Sequence, residues 1–180
     1  MRTLFGAAKL ALALCACATS APSAAKQRDL EAKADTTLSE MQQKDPSLTT
    51  VLQTSAAYAV FPSIGAAGAL YVGGAYGKGI LYEGGRPAGY VELKQGSAGL
   101  TIGGQTYAEI LALRNPNDVA KLKSGKFDLG ANVGATVLTA GAAAAANFTT
   151  GQAVFINPHG GLMGSLTVTG QTISYRPLAG

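Results

Sequence analysis

The spacing of apolar residues along the chain changes character once, near residue 57. Before that point, in residues 24–45, apolar side chains recur at steps of four, four and three, the spacing of one face of an α-helix. They are Leu30, Ala34, Leu38 and Met41. The remaining positions are mostly charged or polar, and Pro46 lacks the N–H that would continue the helix. The pattern predicts an amphipathic helix that ends before Pro46, followed by a shorter helix over residues 47–56 with Ser47 near its cap.

After residue 57 the helical spacing stops, and short runs rich in Val, Ile, Leu and Tyr are separated by glycines. Runs of this length and composition are typical of β-strands. The predicted strands are residues 58–61, 69–73, 78–82, 88–94, 98–102, 126–129, 153–156, 164–169 and 172–176. Residues 83–87 read Glu-Gly-Gly-Arg-Pro, which is turn chemistry suited to a hairpin. One helix, residues 117–123, interrupts the strands after the Asn115-Pro116 turn.

A glycine pattern recurs in the strand region. Gly65-Ala-Ala-Gly68, Gly96-Ser-Ala-Gly99 and Gly161-Leu-Met-Gly164 each lead into a run that ends at another glycine. The uneven spacing disfavours a solenoid, so we interpret these positions as repeated sheet corners, where glycine permits bulges and close strand approach. The predicted fold class is α+β and mainly β. It consists of a strongly curved antiparallel sheet, able to close toward a barrel, with the N-terminal helices packed against it.

The N-terminus has the pattern of a secretory signal. Arg2 and Lys9 supply positive charge, and residues 4–16 are otherwise apolar and small. This run is too short to span a bilayer core, which needs about 20 apolar residues in a helix. We therefore predict a signal peptide over residues 1–16, a tether over 17–23, a helical segment over 24–56 and a β-rich domain over 57–180.

The residues before the tether indicate how the leader is removed. Leu14-Cys-Ala-Cys17 resembles the bacterial lipobox, in which the final cysteine is acylated, so Cys17 is the predicted lipidation site. Cys15 fits less well, because Leu14 would stand where the lipobox takes a small residue. Ordinary cleavage after Ala21 and a retained anchor remain as alternatives. Ala18 resembles the residue found in lipoproteins sorted to an outer membrane, which places the expected protein in the cell envelope.

Composition and charge narrow the function classes. The chain is 47% hydrophobic and 13% charged, with 24 glycines and a formal net charge of +4. Removing Arg2 and Lys9 with the leader leaves 12 basic and 10 acidic residues, or +2, which is too little for a nucleic-acid partner. Both cysteines lie in the leader region, so the folded body contains no disulfide.

No motif with catalytic or cofactor-binding chemistry emerges. Residues 72–79 are glycine-rich, but Val72 and Gly79 occupy positions where a phosphate-binding loop needs Gly and Ser or Thr. His159 has no second histidine or folded cysteine to share a metal, and a solvent-facing turn residue is the preferred interpretation. The carboxylates Glu83, Glu92, Glu109 and Asp128 are scattered singly. We expect no catalytic, cofactor or metal residues and no enzymatic activity.

Two segments could face either protein or lipid. The first helix carries four basic and five acidic residues between Lys26 and Asp45, which favours docking on the domain over contact with an anionic membrane. The small-residue segment 141–147, with five consecutive alanines, is too short to span a bilayer. Close packing is its preferred interpretation and a lipid-facing surface the alternative.

Several segments in order resemble the SYLF domain family, over about residues 56–175. They are Tyr58-Ala-Val-Phe-Pro62, Val72-Gly-Gly-Ala-Tyr-Gly-Lys-Gly79, Gln95-Gly-Ser97, Gly103-Gly-Gln105, Gly125-Lys-Phe127, residues 141–148 and Gly160-Gly-Leu-Met163. The resemblance implies a non-catalytic domain that binds phospholipid or phosphoinositide and, in some eukaryotic members, actin. No actin partner is expected in a bacterial envelope. The family's eukaryotic members are thought to use a basic helix before the domain, and the corresponding helix here is not net basic.

The sequence thus favours an envelope lipoprotein whose domain binds membrane phospholipid. The candidate headgroup contacts are Lys26, Lys33, Lys78, Lys94, Lys121, Lys123 and Lys126. Scattered, solvated lysines are the alternative interpretation of this set. The alternative function is a structural or partner-binding envelope protein whose only lipid contact is its acyl anchor.

Overall fold

The computed structural model describes residues 24–69, 72–98, 103–125, 127–129, 135–137, 139–146, 151–159 and 170–178. The described helices are α1 (Ala24–Lys44), α2 (Ser47–Gln53) and α3 (Pro116–Lys123). The described strands are β1 (Ala57–Ala69), β2 (Val72–Glu83), β3 (Arg86–Ala98), β4 (Gly103–Leu113), β5 (Phe127–Asp128), β6 (Ala135–Val137), β7 (Gln152–Pro158) and β8 (Gln171–Pro177). Cys17, Lys126 and the predicted strand at 164–169 lie outside the described residues, as do the predicted leader and tether.

All described strands belong to one sheet, in the order β5-β8-β3-β2-β1-β4-β7-β6. Every pairing is antiparallel except that of the short β6 with β7. The sheet curls into a half-barrel. Its curvature is visible in one contact: Gln171 on β8 donates a hydrogen bond to Glu109 on β4 at 3.0 Å, although β3, β2 and β1 lie between these strands in the sheet. The predicted class, a mainly antiparallel curved sheet with helices packed against it, is confirmed.

Successive side chains along each strand point to opposite sides of the sheet. The sheet therefore has an inner face, which lines the curl, and an outer face. Inward-facing side chains from β1 to β4, β7 and β8 form a core cluster that α3 and β5 extend. Outward-facing side chains of β1, β2, β4 and β7 form a second cluster with α1 and α2. Both faces of the central strands are therefore buried over the half of the sheet beneath the helices.

Helix α1 docks on the outer face through the stripe expected from the sequence. Ala34 and Met41 are fully buried, and Leu30 and Leu38 pack partly buried against the same cluster. Docking on the domain was the preferred interpretation of this helix, and the packing confirms it. Among the residues described, no helix combines the length and apolar composition needed to cross a bilayer.

Tyrosines from the sheet bind the acidic flank of α1. The Tyr82 hydroxyl donates to Asp35 at 2.6 Å and the Tyr90 hydroxyl donates to Glu31 at 3.0 Å. Burial, with the hydrogen bond to Glu31, raises the pKa of Tyr90 to about 12. Tyr58 stacks on Tyr82 with the ring centroids 5.2 Å apart. These contacts fix the helix by specific hydrogen bonds as well as by apolar burial.

Strand β1 continues through Pro62 to Ala69, well beyond residue 61 where the predicted strand ended. The pairing register shifts between Val60 and Ser63 against β2, and between Phe61 and Ile64 against β4, so Pro62 lies in a bulge. A bulge accommodates proline because the extra residue is not required to donate to the ladder. The shift also turns both Phe61 and Ile64 to the inner core.

Most of the predicted strand over residues 98–102 lies outside the described residues, since 99–102 are not described. Strand β3 ends at Ala98 and β4 begins at Gly103 and runs to Leu113, a region for which no strand was predicted. Residues 107–113 are all buried, since one set packs in the inner core and the other beneath α1 and α2. Burial on both faces removes the alternation that identifies a half-exposed strand.

Several glycines interpreted as sheet corners lie instead within long strands, whereas Gly99, Gly161 and Gly164 lie outside the described residues. Gly65 and Gly68 are inside β1, Gly73 and Gly74 near the start of β2, and Gly96 inside β3. The predicted strand at 69–73 therefore straddles the end of β1 and the start of β2. Without side chains, these glycines leave the sheet surface low or let a neighbouring strand approach closely. None of these five lies in a turn.

Two local predictions are confirmed. Strands β2 and β3 form a hairpin whose two loop residues, Gly84 and Gly85, have φ values of 56° and 76°. Positive φ at both positions is the requirement of the tight hairpin turn that suits twisted strands. Helix α3 begins after Asn115, whose side chain accepts a hydrogen bond from the Asn117 N–H at 2.9 Å.

Gly79→Ala tests the close approach of β2 to β1 on the inner face. A Cβ at Gly79 would overlap the carbonyl oxygen of Val60 and lie 2.8 Å from the Phe61 ring, whereas a Cβ at Gly96 would meet nothing within 4 Å. Overpacking of this kind typically costs about 1–3 kcal/mol, so we expect G79A to lower the free energy of unfolding by roughly 2 kcal/mol or more. Urea denaturation of G79A and the control G96A measures this. Equal stability of the two variants would contradict the tight contact.

Candidate functional site

The part of the outer face that α1 leaves uncovered carries Tyr76, Lys78 and Lys94, and we call it the distal face. Tyr76 is paired with Lys94 across the β2–β3 ladder, and Lys78 follows two residues along β2. All three share the side of the sheet on which Ile80 and Tyr82 are buried under α1, because alternate residues of a strand face the same way. Tyr76 is 45% exposed, and no other large hydrophobic residue among those described is exposed.

Small residues surround the Tyr76 ring on the neighbouring strands. Gly65 of β1 is paired with Tyr76 on the side opposite Lys94, and both Gly65 and Ala67 are exposed. Gly74 and Gly96 extend the same exposed surface on β2 and β3. An added Cβ at Gly65 or Gly96 would contact nothing within 4 Å. Tyr76 therefore stands above a low surface of backbone and small side chains.

The distal face has a small positive excess. Lys78 is paired with Glu92 in the β2–β3 register, and the Tyr76 hydroxyl lies 3.5 Å from Glu92 Oε1. Lys78, Lys94 and Glu92 together carry +1. This arrangement suits an amphipathic contact with an anionic surface, since a tyrosine ring and lysine stems are apolar while their tips are polar.

Four of the other lysines proposed as headgroup contacts lie away from this face, and the fifth, Lys126, lies outside the described residues. Lys26 is exposed near the start of α1, and Lys33 on the same helix pairs with Asp29 at 2.8 Å. Lys121 lies 3.3 Å from Asp118 on α3. Lys123 binds Glu83 at 3.0 Å, and this hydrogen bond raises the pKa of the lysine. The structure thus joins two of the seven candidates, Lys78 and Lys94, and distributes four others over the helices.

A buried polar cluster on the inner face was missed by the sequence analysis, which treated Glu109 as an isolated carboxylate. Glu109 is fully buried, and its neighbours in the cluster are Tyr107 on the same strand and Gln171 on β8. Burial raises the pKa of Glu109 to about 7, partly opposed by the hydrogen bond from Gln171. One signal was available: Glu109 has the same parity as Tyr107 and Leu111 in an otherwise apolar run, which predicts an inward side chain.

A second buried carboxylate, Asp45, joins three segments. It accepts hydrogen bonds from the backbone N–H and hydroxyl of Ser47, at 3.0 and 2.6 Å, and from the N–H groups of Gly141 and Ala143, at 3.0 and 2.7 Å. Burial alone would raise the pKa of Asp45, but these hydrogen bonds outweigh it and lower the pKa below its ordinary value. The capping function expected near Ser47 is thus performed by Asp45.

The alanine-rich segment is held to the domain by Asp45. Ala143 is buried in the outer core cluster, and Ala146 packs against that cluster partly buried. The hydroxyl of Ser47 also accepts the Ala144 N–H at 3.1 Å. Within residues 139–146, these contacts agree with the packing interpretation of the segment.

Two further sequence features, the glycine-rich segment and His159, lie in or directly after a strand. The glycine-rich residues 72–79 form the first part of strand β2. His159 follows β7, is exposed, and donates its backbone N–H to the Thr106 carbonyl oxygen at 3.0 Å. Over the described parts of the chain, no three His, Cys, Asp or Glu side chains converge on a metal position.

A family model described as "Ysc84: Las17-binding protein actin regulator" matches residues 94–179. This region starts in β3 and includes β4, α3 and the strands β5 to β8. The match confirms the resemblance seen in the motifs, and residues 94–179 are similar to the SYLF (Ysc84) domain family. The family supports a lipid-binding or actin-regulator-like domain. A search of curated proteins gave no match.

Asp45→Asn tests the junction between the helices and the alanine-rich segment. Asparagine keeps the shape but removes the charge that attracts four donors, and a lost charge-assisted hydrogen bond costs about 1.5–3 kcal/mol, so we expect a stability loss of roughly 3 kcal/mol at pH 7. Because the folded pKa of Asp45 is lowered, its contribution is present above the unfolded pKa and is lost as the pH falls through the folded value. Urea denaturation at pH 7 and pH 3 should show the difference between wild type and D45N shrinking at pH 3.

Asp29→Asn is the matched control for D45N, because Asp29 forms an exposed pair with Lys33 on α1. Exposed pairs contribute about 0–1 kcal/mol. A D45N variant as stable as D29N at pH 7 would contradict the role of Asp45.

Proposed function

We propose that this chain is a non-catalytic envelope lipoprotein, acylated at Cys17, whose SYLF domain binds membrane phospholipid through the distal face. The observation that carries the proposal is the juxtaposition of an exposed tyrosine ring with Lys78 and Lys94 on a sheet surface that α1 leaves open. Tyrosine is favoured where one end of a side chain meets apolar and the other aqueous surroundings, as at a membrane interface.

The contacts that α1 makes with the sheet favour the exposed sheet surface, and not the helix, as the lipid-binding element. The apolar stripe of α1 is already occupied in the outer core, and Glu31 and Asp35 hold tyrosine hydroxyls. Lipid contact by this stripe would require the helix to leave the sheet and expose Met41 and the tyrosines beneath it. The distal face needs no such rearrangement, because Tyr76 is exposed in the folded domain.

The expected intrinsic affinity is modest. A lysine near an anionic leaflet contributes about 1 kcal/mol, and the attraction decreases within a Debye length. Two lysines opposed by Glu92 would therefore bind weakly as a free domain. An acyl anchor at Cys17 would make the contact effectively intramolecular by holding the domain near the bilayer, and two or three acyl chains are sufficient for firm attachment.

The second candidate is a partner-binding envelope protein whose lipid contact is limited to its anchor. The description of the matched family names binding to another protein and regulation of actin, so a protein-binding use of the same surface has support of its own. The low surface around Tyr76 would also suit a protein partner. We place actin itself outside this proposal, because we propose a bacterial envelope as the location.

Vesicle flotation tests the lipid-binding proposal. The mature chain without Cys17 should float with vesicles containing about one third anionic phospholipid at low salt, and binding should fall as salt is raised, since surface attraction is screened. The variants Y76A and K78E/K94E should lose most of this binding, because they remove the ring or reverse the charge. K33E, on α1, is the control and should bind like wild type. Absence of wild-type flotation at low salt would remove the claim of intrinsic lipid binding and favour the partner-binding candidate.

Mass spectrometry of the mature N-terminus tests the anchor. We expect the chain to begin at Cys17 with two or three acyl groups and to fractionate with membranes. C17S should abolish acylation, whereas C15S should leave it intact. A mature chain that begins at Pro22 without acyl groups would show ordinary cleavage after Ala21 and contradict the anchor.

A further inference from the structure

The buried cluster of Tyr107, Glu109 and Gln171 connects opposite walls of the curled sheet. Tyr107 and Glu109 project inward from β4, and Gln171 projects inward from the first residue of β8. The hydrogen bond from Gln171 Nε2 to Glu109 Oε2 is 3.0 Å long. Because three strands separate β4 from β8 in the sheet, this side-chain bond spans the interior of the curl. The state of this cluster therefore affects how firmly the two walls are held together.

Counting donors and acceptors shows that the cluster is one proton donor short when Glu109 is ionised. Gln171 uses its amide nitrogen toward Glu109 Oε2 and, at 3.4 Å, toward Gln95 Oε1. Three buried oxygens of this cluster have no hydrogen-bond partner: Tyr107 Oη, Glu109 Oε1 and Gln171 Oε1. An ionised carboxylate and an amide oxygen are acceptors only, so with ionised Glu109 the Tyr107 hydroxyl is the single donor for two acceptor oxygens and the cluster lacks a second donor. A neutral carboxylic acid supplies one.

The electrostatic surroundings also favour the neutral acid. The inward-facing residues beside Glu109 on the flanking strands are apolar; they are Phe61 and Ile64 on β1 and Val154 and Ile156 on β7. Burial of a carboxylate without a cationic partner favours its protonated form, and the pKa of Glu109 is accordingly raised to about 7. Burial and the charge of Glu109 also raise the pKa of Tyr107 above its ordinary value, so this hydroxyl stays protonated near neutral pH.

We propose that Glu109 is held as a neutral acid whose proton closes the bridge between β4 and β8, so that the curl is firm below neutral pH and loosens above it. In the closed state Gln171 donates to Oε2 of Glu109, and the proton on Glu109 is donated within the cluster to Gln171 Oε1 or Tyr107 Oη. Loss of this proton buries a negative charge and leaves one acceptor oxygen of the cluster without a donor. The bridge is independent of the distal face and of the anchor.

Other titratable groups facing the interior are few among the described residues. On α3, Asp118 binds Lys121 and the Gln152 side chain, and on β8 the Tyr175 hydroxyl donates to the Ala88 carbonyl oxygen. On β3, Gln95 is neutral.

Urea denaturation between pH 5 and pH 8 tests the bridge. With a folded pKa near 7 and an ordinary unfolded value, the folded state retains a proton that the unfolded chain has lost. Stability is therefore highest on the acidic side and falls as the pH rises, and the unfolding equilibrium constant should increase by roughly 70-fold over this interval. E109Q should remove this dependence, because glutamine carries its own donor at every pH. The exposed substitution E40Q should retain it, and so should H159N.

A second measurement uses the unmodified chain, so that the test does not depend on the folding of E109Q. The assigned side-chain ¹³C resonance of Glu109 should titrate near neutral pH, and hydrogen exchange of β8 amides should accelerate above that point. Titration below pH 5, or a pH dependence unchanged in E109Q, would overturn the proposal. So would a Ca²⁺-induced rise in wild-type stability at pH 8 that is absent in E109Q, because a metal ion would then occupy the place assigned to the proton.

Discussion

The close approach of β1 and β2 on the inner face is the constraint on which the rest of the structure depends. Gly77 and Gly79 lie against Ile64 and Phe61, and a side chain at either glycine would overlap its neighbour. Because these positions carry no Cβ, the sheet can curve tightly enough for β4 and β8 to meet across its interior. The bulge at Pro62 adds to this by turning both Phe61 and Ile64 inward. Inner core, polar bridge and outer helices all follow from that curvature.

Some of this architecture could be predicted from local chemistry. The helix over Ala24–Lys44, the Gly84-Gly85 hairpin and the capped helix after Asn115 each depend on signals within a few residues. Strand β4 could not be found in this way, since its two faces are covered by elements distant in sequence and its alternation disappears. The long extent of β1 was hidden for a related reason: a proline normally ends a strand, and only the paired register shows that a bulge accommodates it.

The candidate sites, like the strands, could be predicted only as far as they depend on residues close in sequence. Lys78 and Lys94 could be named from the sequence as basic residues near family-like segments, but their union with Tyr76 depends on the β2–β3 register. Glu109 and Asp45 are more instructive. Each is a single carboxylate, and each has partners about 60 to 100 residues away in the sequence. Pairwise spacing along a chain carries no information about such contacts, whereas strand parity gives a partial indication for Glu109.

Because of the way in which the charge of Asp45 is neutralised, the surface of the domain and the joint at Asp45 respond differently to ionic strength. Its negative charge is compensated by backbone N–H dipoles and a hydroxyl within the fold, and not by a mobile or exposed cation. Dissolved electrolyte cannot reach and screen such a site as it screens lysines at a surface. Changes in ionic strength would therefore alter how the exterior of the domain meets a charged surface, while the joint between its two N-terminal helices and the alanine-rich turn stays intact.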